Sequence, residues 1–179
     1  EIMSKQLSSL EKLRNRQRMQ SKDSKEVVGN KADKKKRNLY LWIALYRANM
    51  EIFIEHYLGI KLFTFQKILI HLMDKYPYFM FIATRGIGKS WITAVYACAR
   101  CILYPNQLVV IAAGSKKQAA LIVTHKIGLE LQNASPNLKK EIKKINTSAQ
   151  ETYVEFHNGS RIDVIAATDK ARGYRANLI

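Results

Sequence analysis

Residues 83–90 have the types and the spacing that hold nucleotide phosphates. They read Ala-Thr-Arg-Gly-Ile-Gly-Lys-Ser. The phosphate-binding loop has the pattern G-x-x-x-x-G-K-[ST], and only its first glycine is replaced here, by Ala83. In such a loop, backbone N–H groups surround the phosphate oxygens, and the following helix directs the positive end of its dipole at them. The segment therefore predicts a site for a nucleoside triphosphate.

Three side chains of this loop have predicted roles. Lys89 is expected to reach the β- and γ-phosphates, and the Ser90 hydroxyl to ligate Mg²⁺. Arg85 is expected to brace the γ-phosphate as an arginine finger in cis; the alternative is a solvent-facing arginine. The remaining members of the predicted nucleotide-binding set are Thr84, Gly86, Ile87 and Gly88. The alternative for the whole loop is a glycine-rich turn that carries an unrelated lysine.

Gln66 is the next candidate, 23 residues before Lys89. A glutamine amide has both a donor and an acceptor, so it can hydrogen-bond adenine in two directions. Phe63 and Phe65 lie beside it and are candidates for packing on the base. The alternative is a surface glutamine on an amphipathic helix.

The elements around the loop follow an alternating order. The apolar run 78–82 predicts a strand before the loop, and Ser90 to about Leu103 predicts a helix after it. Residues 107–113 predict a second, buried strand, after which Ser115 is expected to cap a helix over 116–132. Residues 136–144 predict a short basic helix. Asn158 and Gly159, between alternating runs, predict a hairpin. This order is typical of an α/β domain with a parallel core sheet.

The first part of the chain is predicted to be mainly helical. Residues 1–38 are polar and basic and predict a helix followed by a mobile linker that contains the run Lys34–Arg37. Residues 39–179 then form the predicted phosphate-loop domain, which opens with a helix over 39–57. A second helix follows, with Thr64 as its N-cap. The apolar stretch 39–60 is interrupted by charges, so it does not predict a membrane span.

The chain is strongly basic, with a formal net charge of +16. A charge of this size predicts attraction to polyanions, with nucleic acid as the first expectation and an anionic membrane as the second. The alternative is ordinary solubility charge, although +16 exceeds what solubility requires.

Cys98 and Cys101 have the C-x-x-C spacing of some metal and redox sites. No second Cys or His pair completes four ligands, and the two residues lie within the predicted helix after the loop. They are therefore expected to pack in the core as thiols.

The motifs together resemble the large terminase subunit of tailed bacteriophages over about residues 60–179. The resemblance rests on five segments: Phe65-Gln66, residues 84–90, Gly114-Ser115 with Gln118-Ala119, Asn158-Gly159-Ser160 and the closing Arg-Gly-Tyr-Arg-Ala-Asn-Leu-Ile of residues 172–179. It implies an additional-strand, RecA-like P-loop ATPase with an N-terminal helical extension. It also implies ATP and Mg²⁺ as cofactors, held by the loop residues and Gln66.

The resemblance also implies a setting and partners. The activity would be ATP-driven movement of double-stranded DNA into a procapsid, and the full-length protein would also carry an endonuclease. The partners would be the portal protein, the small terminase subunit and further copies in a ring, in the cytoplasm of a bacterial host.

The sequence departs from the family pattern by ending at Ile179, before the acidic pair that would hold Mg²⁺ and activate water. We therefore expect a fragment that folds poorly, binds ATP weakly and does not turn it over. Two alternatives stay open: a superfamily 2-type helicase or translocase, and a non-catalytic DNA-binding module with a vestigial loop.

Overall fold

The computed structural model of the protein describes residues 33–148, 150–167 and 175–179. The chain divides into two compact units, residues 1–45 and 46–179. The structure predicted for residues 1–32 lies outside the described residues. Within the described ranges, no helix combines the length and the apolar character needed to cross a bilayer.

Residues 33–48 are helical and are named α1. The prediction of a mobile linker around Lys34–Arg37 is wrong, because this run is part of the helix and is exposed on its surface. The segment holds strong helix formers and neither glycine nor proline, so nothing interrupts the helix before Asn49. At Asn49 the backbone turns to φ −139° and ψ 77°. The single helix predicted over 39–57 is therefore divided, and α2 (Met50–His56) follows the break.

Helix α3 (Thr64–Lys75) follows a short loop. Thr64 is its first residue and Phe63 its N-cap, so the prediction of Thr64 as the cap is wrong. The C-terminal half of α3 is joined to helix α4 (Lys89–Leu103) by two polar contacts. The Tyr96 hydroxyl donates to the Met73 carbonyl at 3.1 Å, and Arg100 pairs with Asp74 at 2.8 Å.

Helix α4 contributes more buried residues than any other helix or strand that the structure describes. Nine of its 15 residues are buried, and it contacts α2, α3, two strands of the sheet and the helical segment 122–131. The predicted helix after the loop is thus confirmed. A helix enclosed in this way is apolar around most of its circumference, which explains the run of small residues between Ala94 and Cys101.

The sheet has four strands: β1 (Leu108–Ala113), β2 (Ile142–Thr147), β3 (Thr152–Phe156) and β4 (Arg161–Ala166). Their order is β1-β4-β3-β2, with β1 and β4 parallel and the other two pairs antiparallel. The predicted α/β class is confirmed, but the sheet is mixed: the predicted parallel pairing occurs between β1 and β4, whereas the hairpin-connected strands pair antiparallel. The hairpin predicted at Asn158-Gly159 is confirmed as the β3–β4 connection.

A helical stretch joins β1 to β2. It comprises α5 (Lys116–Leu121), a π-helix (Ile122–Leu131), α6 (Gln132–Ala134) and α7 (Pro136–Glu141). The predicted Ser115 cap is confirmed, since its hydroxyl accepts from the Gln118 N–H at 3.2 Å. The helix predicted over 136–144 ends earlier, at Glu141. From Ile142 onward the residues form β2, because pairing with β3 outweighs the local basic pattern.

The β3–β4 turn also fixes the end of α4. The Asn158 amide donates to the Cys101 carbonyl at 2.7 Å. The buried Ser160 hydroxyl donates to the Tyr104 carbonyl at 2.9 Å and accepts from the Gln107 N–H at 3.1 Å. A Cβ on Gly159, whose φ is +82°, would lie 2.3 Å from the Asn106 side chain. The Asn-Gly-Ser segment therefore has a structural role in joining the sheet to α4.

Both cysteine thiols are fully buried within α4, as predicted, and neither forms a disulfide. Burial raises the pKa of the Cys98 thiol well above its usual range, and it raises the pKa of Cys101 to about 12. Since the thiolate is the reactive form, both residues should be inert in the folded protein.

We expect both thiols to react with a small aromatic disulfide at pH 8 at least about 100-fold more slowly in the native chain than in urea, because burial suppresses thiolate and blocks access. The rates are measured by absorbance. The Cys98→Ala variant should show one slow thiol. A thiol that reacts equally fast in the native and denatured chain would contradict the buried position of α4.

Candidate phosphate-binding site

The predicted loop has the backbone of a tight turn at the start of a long helix. Gly86 and Gly88 adopt φ values of +92° and +88°, in the left-handed region that favours glycine. Gly88 is the N-cap of α4, and the Ile92 N–H donates to its carbonyl at 2.9 Å. The two glycines thus turn the chain directly into the helix, so that the first N–H groups of α4 face the loop.

Lys89 folds back onto the loop that precedes it. Its Nζ donates to the Ala83 carbonyl at 2.6 Å and to the Thr84 carbonyl at 2.7 Å. These two bonds hold the ammonium group across the turn. Phosphate oxygens are stronger acceptors than carbonyls for an ammonium donor, so an entering phosphate can take over these bonds.

The remaining loop residues are accessible. Thr84, Arg85, Gly86 and Ser90 are exposed, and Ile87 is 40% exposed. Arg85 lies in the turn with no hydrogen-bond partner in the described part of the chain. The Ser90 hydroxyl is available at the first turn of α4. The structure therefore brings the loop residues together around one open surface.

The strand predicted before the loop is absent: residues 78–82 are all described, and none belongs to a strand. Tyr78, Met80 and Ile82 are each 85–95% exposed, whereas Phe79 and Phe81 are partly buried. This alternation is that of a strand, but β1 pairs with β4 instead, and no neighbour supplies a ladder to this segment. The prediction failed because strand formation requires a partner as well as a pattern.

Gln66 is held by its own helix. Its Oε1 accepts from the Phe63 N–H at 2.9 Å, which caps α3, and the residue is only 7% exposed. The acceptor predicted for adenine is thus engaged. Within the described ranges, no hydrogen bond joins Gln66 to the loop. The Phe63 and Phe65 rings are nearly parallel, with centroids 6.2 Å apart, and both are exposed.

A cavity of about 530 Å³ opens next to the loop. Its polar lining includes Ser90 of α4, Gln118 of α5, and three residues of the π-helix: His125, Lys126 and Glu130. Lys126 and Glu130 form an ion pair. The position of Gln118 near the site follows from its place after the carboxyl end of β1. His125, Lys126 and Glu130 were not predicted to lie at this site, because their position beside Ser90 depends on the π-helical winding, which has no signal in the sequence.

The end of the chain lies beside β1. Arg172 and the two residues after it are outside the described residues. Asn177 Oδ1 accepts from the Leu108 N–H at 2.9 Å, and Leu178 forms an isolated parallel bridge with Val109. Asn177 therefore acts as a side-chain cap for the first residue of β1.

The arrangement supplies main-chain donors at the start of a 15-residue helix, a lysine ammonium and an exposed hydroxyl.

No protein-family model matches this chain, and no curated protein sequence matches it either.

We expect Gly88→Ala to lower the free energy of unfolding by about 1–2 kcal/mol, because L-residues pay that cost in the left-handed region. The measurement is urea denaturation followed by circular dichroism. Gly114→Ala is the matched control: its φ is not left-handed, and a Cβ there meets the Gln118 Oε1 at an ordinary 3.6 Å. Equal effects of the two substitutions would contradict the strained turn.

Proposed function

We propose that this chain is the ATP-binding part of a DNA-translocating motor of the large terminase type, with an additional-strand, RecA-like P-loop fold. The observation that carries the proposal is the loop 83–90. Its two left-handed glycines and the folded-back Lys89 stand at the start of the buried helix α4. The resemblance in sequence adds the class of motor.

In this proposal, the N–H groups of residues 86–90 bind the triphosphate oxygens, aided by the helix dipole. Lys89 leaves the two carbonyls and pairs with the β- and γ-phosphates. The exposed Ser90 hydroxyl fits a hard cation such as Mg²⁺, which would neutralise phosphate charge when bound. Arg85 is unpartnered in the described chain, so it is available to brace the γ-phosphate.

The contacts of Gln66 favour a different basis of adenine recognition from the one expected from the sequence. Gln66 Oε1 already accepts a hydrogen bond from the Phe63 N–H, whereas the amide nitrogen has no hydrogen-bond partner in the described chain. The exposed Phe63 and Phe65 rings offer an aromatic surface on the same helix end. We therefore assign base packing to the two phenylalanines and a secondary role to Gln66.

Hydrolysis requires a carboxylate that activates water. The one acidic residue lining the cavity at Ser90 is Glu130, and it is paired with Lys126. The described residues thus place no unpaired carboxylate in this cavity. On this proposal, the 179-residue chain binds ATP without appreciable turnover.

The motor class brings further proposed partners. The net charge of +16 fits a protein that works on DNA. The portal protein, the small terminase subunit, a ring of copies and a bacterial cytoplasm follow from the resemblance, as does a nuclease in the full-length protein.

A non-catalytic DNA-binding module is the second candidate. Two observations favour it: Gln66 is engaged as a cap, and the segment before the loop is unpaired. In that case the loop would be vestigial and the basic surface would be the functional part. Nucleotide titration separates the two candidates.

We expect Lys89→Ala to weaken Mg²⁺-ATP binding by the whole chain at least about tenfold, since it removes the ammonium from the β- and γ-phosphates. Isothermal titration calorimetry measures the affinity. Lys75→Ala is the matched control, because it removes one exposed lysine at the far end of α3. It should leave binding within about twofold of the unsubstituted chain.

Unchanged affinity in Lys89→Ala would contradict the motor proposal and favour the vestigial loop. So would equal losses in both variants, which would indicate general attraction of ATP to a basic protein.

A further inference from the structure

Four lysines lie together at one edge of the sheet. Lys139 and Lys140 are in the last turn of α7, and Lys143 and Lys144 follow within β2. All four are exposed, and β2 is one of the two edge strands in the order β1-β4-β3-β2. We name these four lysines the basic edge.

Most of the charge at the basic edge is unbalanced. Lys143 pairs with Glu155 at 2.6 Å, whereas Lys139, Lys140 and Lys144 form no ion pair within the described residues. Among the other described acids of the second unit, Glu55, Asp74, Glu130 and Asp163 each pair with a lysine or an arginine. Glu51 lies 3.6 Å from His71, and Glu151, in the β2–β3 connection, forms no ion pair within the described residues. The neighbouring Glu141 accepts a hydrogen bond from Tyr57. The three lysines therefore present positive charge to solvent.

Two structural roles account for part of this pattern. Charged residues on an edge strand prevent pairing with other chains, and lysines in the last turn complement the helix dipole. A cluster of four, with one ion pair, indicates a ligand that carries several negative charges.

The surroundings select the kind of polyanion. No large apolar side chain between residues 136 and 166 is exposed in the described chain, so the edge lacks the residues that insert into a membrane. Tyr153 is 9% exposed, and its ring is covered by the Arg161 guanidinium at 3.9 Å, with Lys144 Nζ 5.8 Å from the ring centroid. The tyrosine is therefore unable to stack on an unpaired base, as single-strand binding would require.

We propose that the basic edge binds the phosphate backbone of duplex DNA, with Lys139, Lys140 and Lys144 as the contacting residues. The contact is electrostatic and carries no base sequence information. It specifies the DNA surface of the proposed motor, and so it rests on the proposed function. It is tested without ATP, so that its failure is distinguishable from failure of the nucleotide site.

The test replaces Lys139, Lys140 and Lys144 with glutamine and measures binding of a mixed-sequence 30-base-pair duplex by fluorescence anisotropy at several salt concentrations. The matched control replaces Lys34, Lys35 and Lys36, three exposed lysines of α1, with glutamine. Both variants lose three charges from the same +16. Each lost phosphate contact reduces the slope of log K against log salt concentration (the salt slope) by about 0.9 in magnitude. The edge variant should therefore show a salt slope that is smaller by about 2–3. Its affinity at low salt should be at least about tenfold lower than that of the unsubstituted chain.

The control should lose less than about one unit of slope. Equal losses in the two variants would overturn the proposal, because they would indicate attraction set by net charge alone. Tighter binding to a single strand or to anionic vesicles than to the duplex would also overturn it.

Two further variants keep the test decisive. Arginine at the same three edge positions retains the charge and should restore binding, whereas failure to restore it would overturn an electrostatic contact. Lys75→Ala, which removes one exposed lysine of α3, should keep the duplex affinity and salt slope of the unsubstituted chain, and a large loss there would contradict a DNA surface confined to the basic edge.

Discussion

Burial of α4 is the constraint on which the remainder of the second unit depends. Its contacts with α2, α3, the sheet and the π-helix leave nine of its residues without appreciable exposure. Because the helix is fixed at both its sides and its C-terminal end, its first turn has a defined position. Gly86 and Gly88, with positive φ, turn the chain into that first turn. The Lys89 Nζ then donates back to the Ala83 carbonyl at the start of the loop. The accessible chemistry of the loop is thus supported by apolar packing behind it.

Features encoded by local residue types were predictable from the sequence. The Gly88-Lys89-Ser90 turn, the Ser115 cap and the Asn158-Gly159 hairpin each depend on a side chain or a φ value that few residues supply. The buried helix and β1 were predictable from their apolar runs. The same local character explains why Cys98 and Cys101 are core residues.

Features that depend on distant partners were not predictable. Residues 78–82 have the residue pattern of a strand but pair with no neighbouring strand. Residues 142–147, which were predicted to be partly helical, form a strand because they pair with β3. Gln66 was expected to hydrogen-bond adenine, but its Oε1 accepts a hydrogen bond from the nearby Phe63 N–H. The approach of His125 to Ser90 depends on the winding of the π-helix. In each case a tertiary or backbone contact decides between two conformations that the sequence permits.

The central claim is that main-chain amides of the loop bind a polyphosphate. The most direct measurement is the amide chemical shifts of the ¹⁵N-labelled chain during titration with Mg²⁺ and a non-hydrolysable ATP analogue. The account predicts saturable shifts that are largest for Gly86, Gly88, Lys89 and Ser90. Shifts confined to exposed lysines elsewhere, or no saturable shift at residues 86–90, would contradict it.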